Sequence, residues 1–168
     1  VAQAVCISPN DAYLDAVAEA IDALLPTVPR RSVIEASLKN RGALIVVEDL
    51  ERAARLSNLF APEHLELAVR DADQLLPYIT HAGAIFLGAY SSESLGDYCV
   101  GTNHVLPTSG AARFSSPLGV YDFQTRTSII DVNSQGAKAL AEVAGTIADG
   151  ESLEAHAMAA RIRVEDPN

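Results

Sequence analysis

The chain has 168 residues, which is the length of one ordinary domain and too short for two well-filled ones. Hydrophobic residues make up 49% and charged residues 20% of it, so the composition allows a normal core and excludes a disordered or fibrous chain. Lys and Arg total 12 against 22 Asp and Glu, which gives a net charge of -10. Because so acidic a surface repels phosphate backbones and anionic lipids, we expect neither nucleic acid nor a membrane surface as a partner.

The spacing of the cysteines predicts the cellular compartment of the protein. Cys6 and Cys99 lie far apart and form no C-x-x-C pair, so we predict no disulfide and a reducing, cytoplasmic location. The longest apolar runs, 43–47 and 82–89, are much shorter than the roughly 18 residues of a membrane-spanning helix. The chain enters an apolar strand directly after Val1, so we expect it to be one part of a longer protein.

Predicted strands and helices alternate along the first ninety residues. The run at 43–47 is continuously apolar, which is typical of a strand covered on both faces in a parallel sheet. The alternation predicts an α/β fold with an open, doubly wound, mostly parallel sheet. The predicted strands are 2–8, 43–47, 65–70 and 84–87, and the predicted helices are 11–25, 30–39, 49–59 and 71–80.

The pattern changes after Tyr90. Residues 91–124 are rich in glycine, proline and small polar residues with little periodicity, and a long irregular segment inside a domain is usually functional. A strand at 126–132 and two Ala-rich helices at 133–148 and 151–163 are predicted to follow. We therefore predict that residues 1–124 form the second half of a Rossmann-like α/β domain. Residues 125–168 would form a strand-helix-helix tail with little of its own chain to pack against.

The dipeptide Glu63-His64 is the first candidate for chemistry. Pro62 favours extended backbone at Ala61, and in a straight strand adjacent side chains point to opposite faces, so the pair could share a site only if the chain turns there. Histidine titrates near neutral pH and can take a proton from an alcohol, and a carboxylate can orient it or activate water. An ordinary surface position is the alternative.

Two further pairs of residues are candidates. Asp97 and His104 lie seven residues apart on the predicted glycine-rich loop after a buried strand, where open α/β sheets place ligands. The alternative is a turn in which Asp97 and Asn103 cap local backbone groups. Glu151 and His156 lie five residues apart, about 140° around a helix, which is equally typical of a solvated face. These residue types suit zinc, but without a short ligand spacing the residues alone indicate only a metal or acid/base site.

Four longer motifs together resemble the histidinol dehydrogenase family, and the likeness runs along nearly the whole chain. The motifs are A-P-E-H-L-E-L, A-G-A-I-F-L-G, G-D-Y-C-V-G-T-N-H-V-L-P-T-S-G and F-S-S-P-L-G-V-Y-D-F-Q. Members of the family are more than twice this length. The chain therefore resembles their C-terminal portion and lacks the N-terminal half.

The resemblance implies a two-step oxidation. Family members oxidise L-histidinol to L-histidine through a bound aldehyde, with two NAD in sequence and a zinc ion that anchors the substrate. Glu63 and His64 match the catalytic pair, with His64 taking the alcohol proton and Glu63 activating water for hydration of the aldehyde. The positions that contact NAD are expected upstream of Val1, which agrees with the absence of a dinucleotide-binding motif.

The same resemblance implies a metal and an assembly. Asp97 and His156 match two of four zinc ligands, with the other two expected upstream. His104 and Glu151 match residues that contact substrate, as do His64, Asp97 and His156. In the family the C-terminal tail completes the active site of the partner subunit, so a homodimer is implied.

Two alternatives from other functional classes remain open. The chain could belong to a metal-dependent hydrolase with Glu63 as the base for a metal-bound water, which would need no nicotinamide. It could instead be a catalytically inactive fragment or association module. We expect the isolated fragment to lack dehydrogenase activity, because it has only two of the four metal ligands that the resemblance implies.

Overall fold

A computed structural model of the chain describes residues 2–165. The chain divides after Phe123 into two compact units, which are described separately below. The first unit alternates short strands with helices, and residues 76–78, 111–113 and 120–123 add three 3₁₀ turns. Its elements are β1 Val5–Ser8, α1 Asp11–Leu24, α2 Arg31–Arg41, β2 Ala43–Val46, α3 Leu50–Phe60, β3 His64–Leu67, α4 Ala72–Leu75, β4 Ala84–Leu87 and α5 Glu93–Tyr98.

The strands pair in parallel, as the sequence predicts. Strand β1 pairs with β2 and β3 pairs with β4, in registers that align Val5 with Ala43 and His64 with Ala84. Parallel pairs connected by helices confirm the α/β fold class. Within residues 2–165 the four strands form two separate two-stranded sheets rather than one continuous sheet.

Strand β2 differs from its prediction. Ala43 and Ile45 are half-buried, whereas Leu44 and Val46 are 42% and 52% exposed. The prediction that this strand is covered on both faces is therefore wrong. In a two-stranded sheet each strand is an edge, so the neighbouring helices of this chain reach only part of its surface.

The core of the first unit lies beneath β3. Ala54 of α3, Leu67 of β3 and Ala72 and Leu75 of α4 form one buried cluster, and the partly buried Leu65 packs against it. Alternation along a strand explains this, because residues 65 and 67 share one face. Residues 64 and 66 are thereby directed to the opposite face, where the candidate site lies.

Helix α3 begins and ends on capping interactions, and its end leads directly into β3. The Asp49 carboxylate accepts the N–H of Arg52 at 2.7 Å at its start. At its end Ala61, fully buried, adopts left-handed backbone with φ of 46° and donates its N–H to the carbonyl of Ser57. The extended geometry expected before Pro62 is therefore wrong, because the hydrogen bond that closes the helix selects the left-handed region.

The long segment after β4 is irregular for most of its length. Helix α5 occupies only six residues near its start, and the last two 3₁₀ turns follow. Asp97 lies within α5, so the prediction that places it on a glycine-rich loop is wrong. A residue of a helix has its backbone fixed relative to its neighbours one turn away, which matters for the site.

The second unit contains a helix pair, α6 Ser134–Gly150 and α7 Glu154–Glu165. The side chain of Asn133 caps α6 by accepting the N–H of Gly136 at 2.8 Å. Residues 124–133 form no strand, and Ile129 and Ile130 are 92% and 84% exposed. The predicted strand at 126–132 is therefore wrong, because no neighbouring strand supplies hydrogen-bond partners.

One arginine connects the two helices of this pair. Arg161 of α7 donates to both carboxylate oxygens of Glu142, at 3.1 and 3.2 Å, and to Asp149 at 2.9 Å. Its guanidinium lies over Gly145, where a Cβ would come within 2.7 Å of the guanidinium carbon.

Within residues 2–165, no helix has both the length and the apolar character needed to cross a membrane.

Candidate functional site

The candidate site begins on the face of β3 that points away from the core. His64 and Glu66 share this face, and Phe86 of the neighbouring β4 aligns with Glu66 in the parallel register. The His64 and Phe86 rings lie 6.0 Å apart between centroids at a tilt of 39°. Phe86 is only 9% exposed, so it gives one side of the imidazole a fixed apolar neighbour.

Helix α5 approaches this face closely because it carries a glycine. Gly96 is buried against the Phe86 ring, and a Cβ at this position would lie 2.6 Å from Phe86 Cε1. Any larger residue would push the helix away from the sheet. Gly96 therefore permits the contact that its neighbour Asp97 makes.

Asp97 meets His64 across this contact. His64 Nε2 lies 3.3 Å from Asp97 Oδ1, although 33 residues separate them along the chain. Their side chains are 23% and 25% exposed, so the pair is partly shielded from water yet reachable by a small molecule. An imidazole that contacts a carboxylate is oriented for proton transfer and is stabilised when it becomes charged.

Glu93 is a third member of this cluster that sequence reasoning missed. One ligand atom from each of His64, Glu93 and Asp97 lies within 4.8 Å of the other two. Partial loss of water raises the pKa of the Glu93 carboxyl, and a hydrogen bond with Asp97 and repulsion from Asp97 and Glu66 raise it further, while His64 lowers it. The signal in the sequence was the four-residue spacing of Glu93 and Asp97, but it indicates a shared face only once residues 93–98 are known to be helical.

The cluster suits a divalent metal by the chemistry of its donors. Imidazole nitrogen and carboxylate oxygen are ordinary ligands of zinc and of related transition metals. Asp97, the ligand that the family resemblance implies, is one of the three clustered groups. His64 and Glu93 bring further donor atoms close to it.

Glu63 and His104 lie outside this three-residue cluster. Glu63 is partly buried immediately before β3, and its carbonyl accepts the N–H of Ala84 at 2.9 Å. His104 is exposed in the irregular segment after α5. Its neighbour Asn103 accepts the N–H of Val105 at 2.8 Å, a local turn interaction.

Glu151 and His156 belong to the second unit. Glu151 is exposed at the end of α6, three residues before α7 begins, so the prediction of one helix through both positions is wrong. Ser152 between the helices has left-handed backbone with φ of 60°, which interrupts helical geometry. His156 is exposed in the first turn of α7, where its N–H donates to the carbonyl of Leu153 at 2.9 Å.

The two cysteines form no disulfide, as the sequence predicts. Cys6 and Cys99 are both free thiols, the first partly buried on β1 and the second exposed at the end of α5. Burial raises the pKa of the Cys6 thiol.

Comparison with known proteins places these residues in one family. The family model described as histidinol dehydrogenase matches residues 1–164. Among curated relatives, the histidinol dehydrogenases of Dechloromonas aromatica and Neisseria gonorrhoeae are 61% and 58% identical over 165 residues, 98% of this chain. The chain spans 38% of the length of each.

A solved structure gives the same result. The crystal structure of histidinol dehydrogenase from Elizabethkingia anophelis superimposes with a TM-score of 0.84 and 33% sequence identity. The match covers 97% of this chain and 37% of that one. Since the family model spans nearly all of the sequence, the chain belongs to the histidinol dehydrogenase family and corresponds to a part of the longer enzymes in it.

Proposed function

We propose that the complete protein to which this chain contributes oxidises L-histidinol to L-histidine through the aldehyde, using two NAD in sequence. The observation that supports this best is the contact of His64 with Asp97 within a chain of this family. It puts a proton acceptor, on the first residue of β3, beside a carboxylate of α5 on the face of the strand that points away from the core. NAD, when bound, accepts a hydride in each of the two oxidations.

In the first oxidation His64 acts as the general base. Its ring nitrogen takes the proton from the alcohol oxygen while the hydride leaves the same carbon, and the oxygen forms the carbonyl of the aldehyde. Asp97 stabilises the positive charge that His64 then carries. A positioned base of this kind contributes roughly 10²–10⁴-fold to a rate.

In the second oxidation Glu63 activates water. Its carboxylate removes a proton from a water molecule as the water oxygen bonds to the aldehyde carbon, which produces the anion of the hydrate. Loss of a second hydride from that carbon then yields the carboxylic acid. Two hydrides therefore leave for each histidinol, which accounts for two NAD.

The remaining site residues hold the substrate and a metal. Asp97 and His156 would hold a zinc ion, together with ligands from parts of the protein outside this chain. Zinc, when bound, supplies a Lewis acid that anchors the substrate. His104 and Glu151 contact the substrate, with the Glu151 carboxylate suited to its ammonium group.

We further propose that the protein is a cytoplasmic homodimer in which residues 125–168 complete the site of the partner subunit. Helix α6 supports this with an exposed apolar stripe at helical spacing, since Leu140, Val143 and Ile147 are each 56–60% exposed. Residues 1–124 would form the second half of a Rossmann-like domain. The isolated chain, without the rest of the enzyme, would oxidise no histidinol.

To test this proposal, the complete protein is incubated with L-histidinol and NAD, and the reduced nicotinamide that forms is measured by its absorbance. We expect two reduced nicotinamides for each L-histidine formed, and inhibition when zinc is removed by a chelator. One nicotinamide per substrate would contradict the second oxidation. Hydrolysis of an ester or amide without any nicotinamide reduction would replace this proposal with the hydrolase alternative.

A further inference from the structure

Glu66 has no role in the proposed chemistry, yet it contacts the helix that carries Asp97. One of its carboxylate oxygens accepts the backbone N–H of Glu93 at 2.9 Å. Glu93 is the first residue of α5, and the first amides of a helix have no acceptor within the helix itself. Ser92, which precedes α5, makes no capping bond with its side chain among the described residues. Glu66 of β3 therefore supplies the acceptor that a local cap would normally provide.

The spacing of strand and helix makes this contact part of the His64 site. Positions 64 and 66 are about 6.7 Å apart along β3 and share one face. Positions 93 and 97 are about 6 Å apart along α5. Because the two distances agree, anchoring Glu93 at Glu66 brings Asp97 opposite His64.

The middle of α5 cannot fix this register by itself. Gly96 packs against Phe86 without a side chain of its own, so this contact provides no interlocking group that would fix the position of the helix along the strand. An isolated six-residue helix is also too short to be stable in water. A hydrogen bond at its first residue is therefore a defined anchor, and it is strengthened by the charge on the acceptor.

We propose that Glu66 is a positioning residue, which holds the start of α5 so that Asp97 stays in contact with His64. Its effect on catalysis rests on the proposed function, whereas its effect on α5 does not. Glu66 touches neither substrate nor cofactor in this proposal and acts only through Asp97. The acceptor oxygen is the essential part of this role, and the negative charge strengthens the bond.

The direct test is hydrogen exchange of the Glu93 amide in the complete protein, measured by mass spectrometry with fragmentation to single residues. Glu66→Ala removes the acceptor and should raise the exchange rate of this amide about tenfold. Glu66→Gln keeps a carbonyl oxygen and should restore most of the protection. Glu19→Ala, which removes an exposed glutamate of α1, is the matched control and should leave the rate unchanged. Unchanged exchange in Glu66→Ala, or equal loss in both Glu66 variants, would overturn the proposal.

Kinetics of the complete protein provide the functional readout. Because displacement of a catalytic group by about 1 Å can cost as much as 10²-fold, we expect Glu66→Ala to lower kcat about tenfold with little change in KM. Glu66→Gln should remain within about threefold of the parent protein. A general loss of folding would affect both variants and both constants, so rescue by glutamine and the separation of kcat from KM identify positioning.

The two proposals fail in different ways. A complete protein that reduces no nicotinamide with L-histidinol would contradict the proposed function, while the exchange experiment would still decide the role of Glu66. An active protein in which Glu66→Ala keeps full kcat would contradict positioning and leave the dehydrogenase proposal intact.

Discussion

The face of β3 beneath α5 and the helix pair α6–α7 both carry proposed site residues, but they hold them differently. On β3, strand pairing, the Gly96–Phe86 contact and the Glu66 acceptor fix His64 and Asp97 against each other. In the helix pair Glu151 and His156 are exposed, and neither has a side-chain hydrogen bond among the described residues. A site is preorganised where packing positions its groups, and the chain achieves this on β3 alone.

The largest expected effect tests whether the preorganised face performs the chemistry. His64→Asn in the complete protein should lower turnover by roughly two to four orders of magnitude, because asparagine cannot accept the alcohol proton. Substrate affinity should change much less. Steady-state kinetics with L-histidinol provide the measurement, and turnover close to that of the parent protein would remove His64 from the mechanism.

The second prediction compares zinc binding by this chain with zinc binding by the complete protein, and so tests whether the β3 face is sufficient to hold a metal. The isolated chain offers two of the proposed zinc ligands, and loss of even one supporting contact typically weakens metal binding 10–100-fold. We therefore expect calorimetry to show zinc binding at least about 100-fold weaker in this chain than in the complete protein. Equal affinity would mean that groups already on this chain, such as Glu93, complete the coordination.

A pair of glycine substitutions compares the two regions directly. Gly96→Ala places a Cβ 2.6 Å from the buried Phe86 ring, so urea unfolding should show a loss of about 1–3 kcal/mol. Gly145→Ala creates a similar clash at 2.7 Å, but with the end of the long Arg161 side chain, whose ion pairs are partly exposed. Because partly exposed ion pairs contribute little and alanine favours helix, we expect a change within about 1 kcal/mol. Equal losses would show that the helix pair is as tightly packed as the β3 face.

The smallest effect concerns the two thiols of the first unit. Cys99 at the end of α5 is exposed, whereas burial raises the pKa of Cys6 on β1, so mass spectrometry should show Cys99 alkylated first near neutral pH. A raised pKa in the fold favours the protonated thiol. The stability that Cys6 contributes is thus complete below its unfolded pKa and is lost as pH rises through the folded pKa. Faster modification of Cys6 would mean that β1 opens more readily than α5.

Local patterns were sufficient for much of the fold. The helices predicted at 11–25, 49–59 and 133–148 begin and end within two residues of the observed α1, α3 and α6. Each of these helices starts at a side-chain cap, from Asn10, Asp49 and Asn133, which acts between near neighbours. The predicted strand at 126–132 had the right residue types and no partner strand. A β-branched run indicates strand propensity, but a neighbouring strand must satisfy its backbone.

The sequence by itself determined the family, through motifs that include Glu63, His64, Asp97 and His104, and the parallel α/β character of the first unit. Only the tertiary structure showed that His64 meets Asp97 and that Glu66 and Glu93 belong to the same face. Those contacts join residues about 30 positions apart, and they depend on the register of a short helix over a strand. Such a register is set by non-local packing, which no pattern of neighbouring residues specifies.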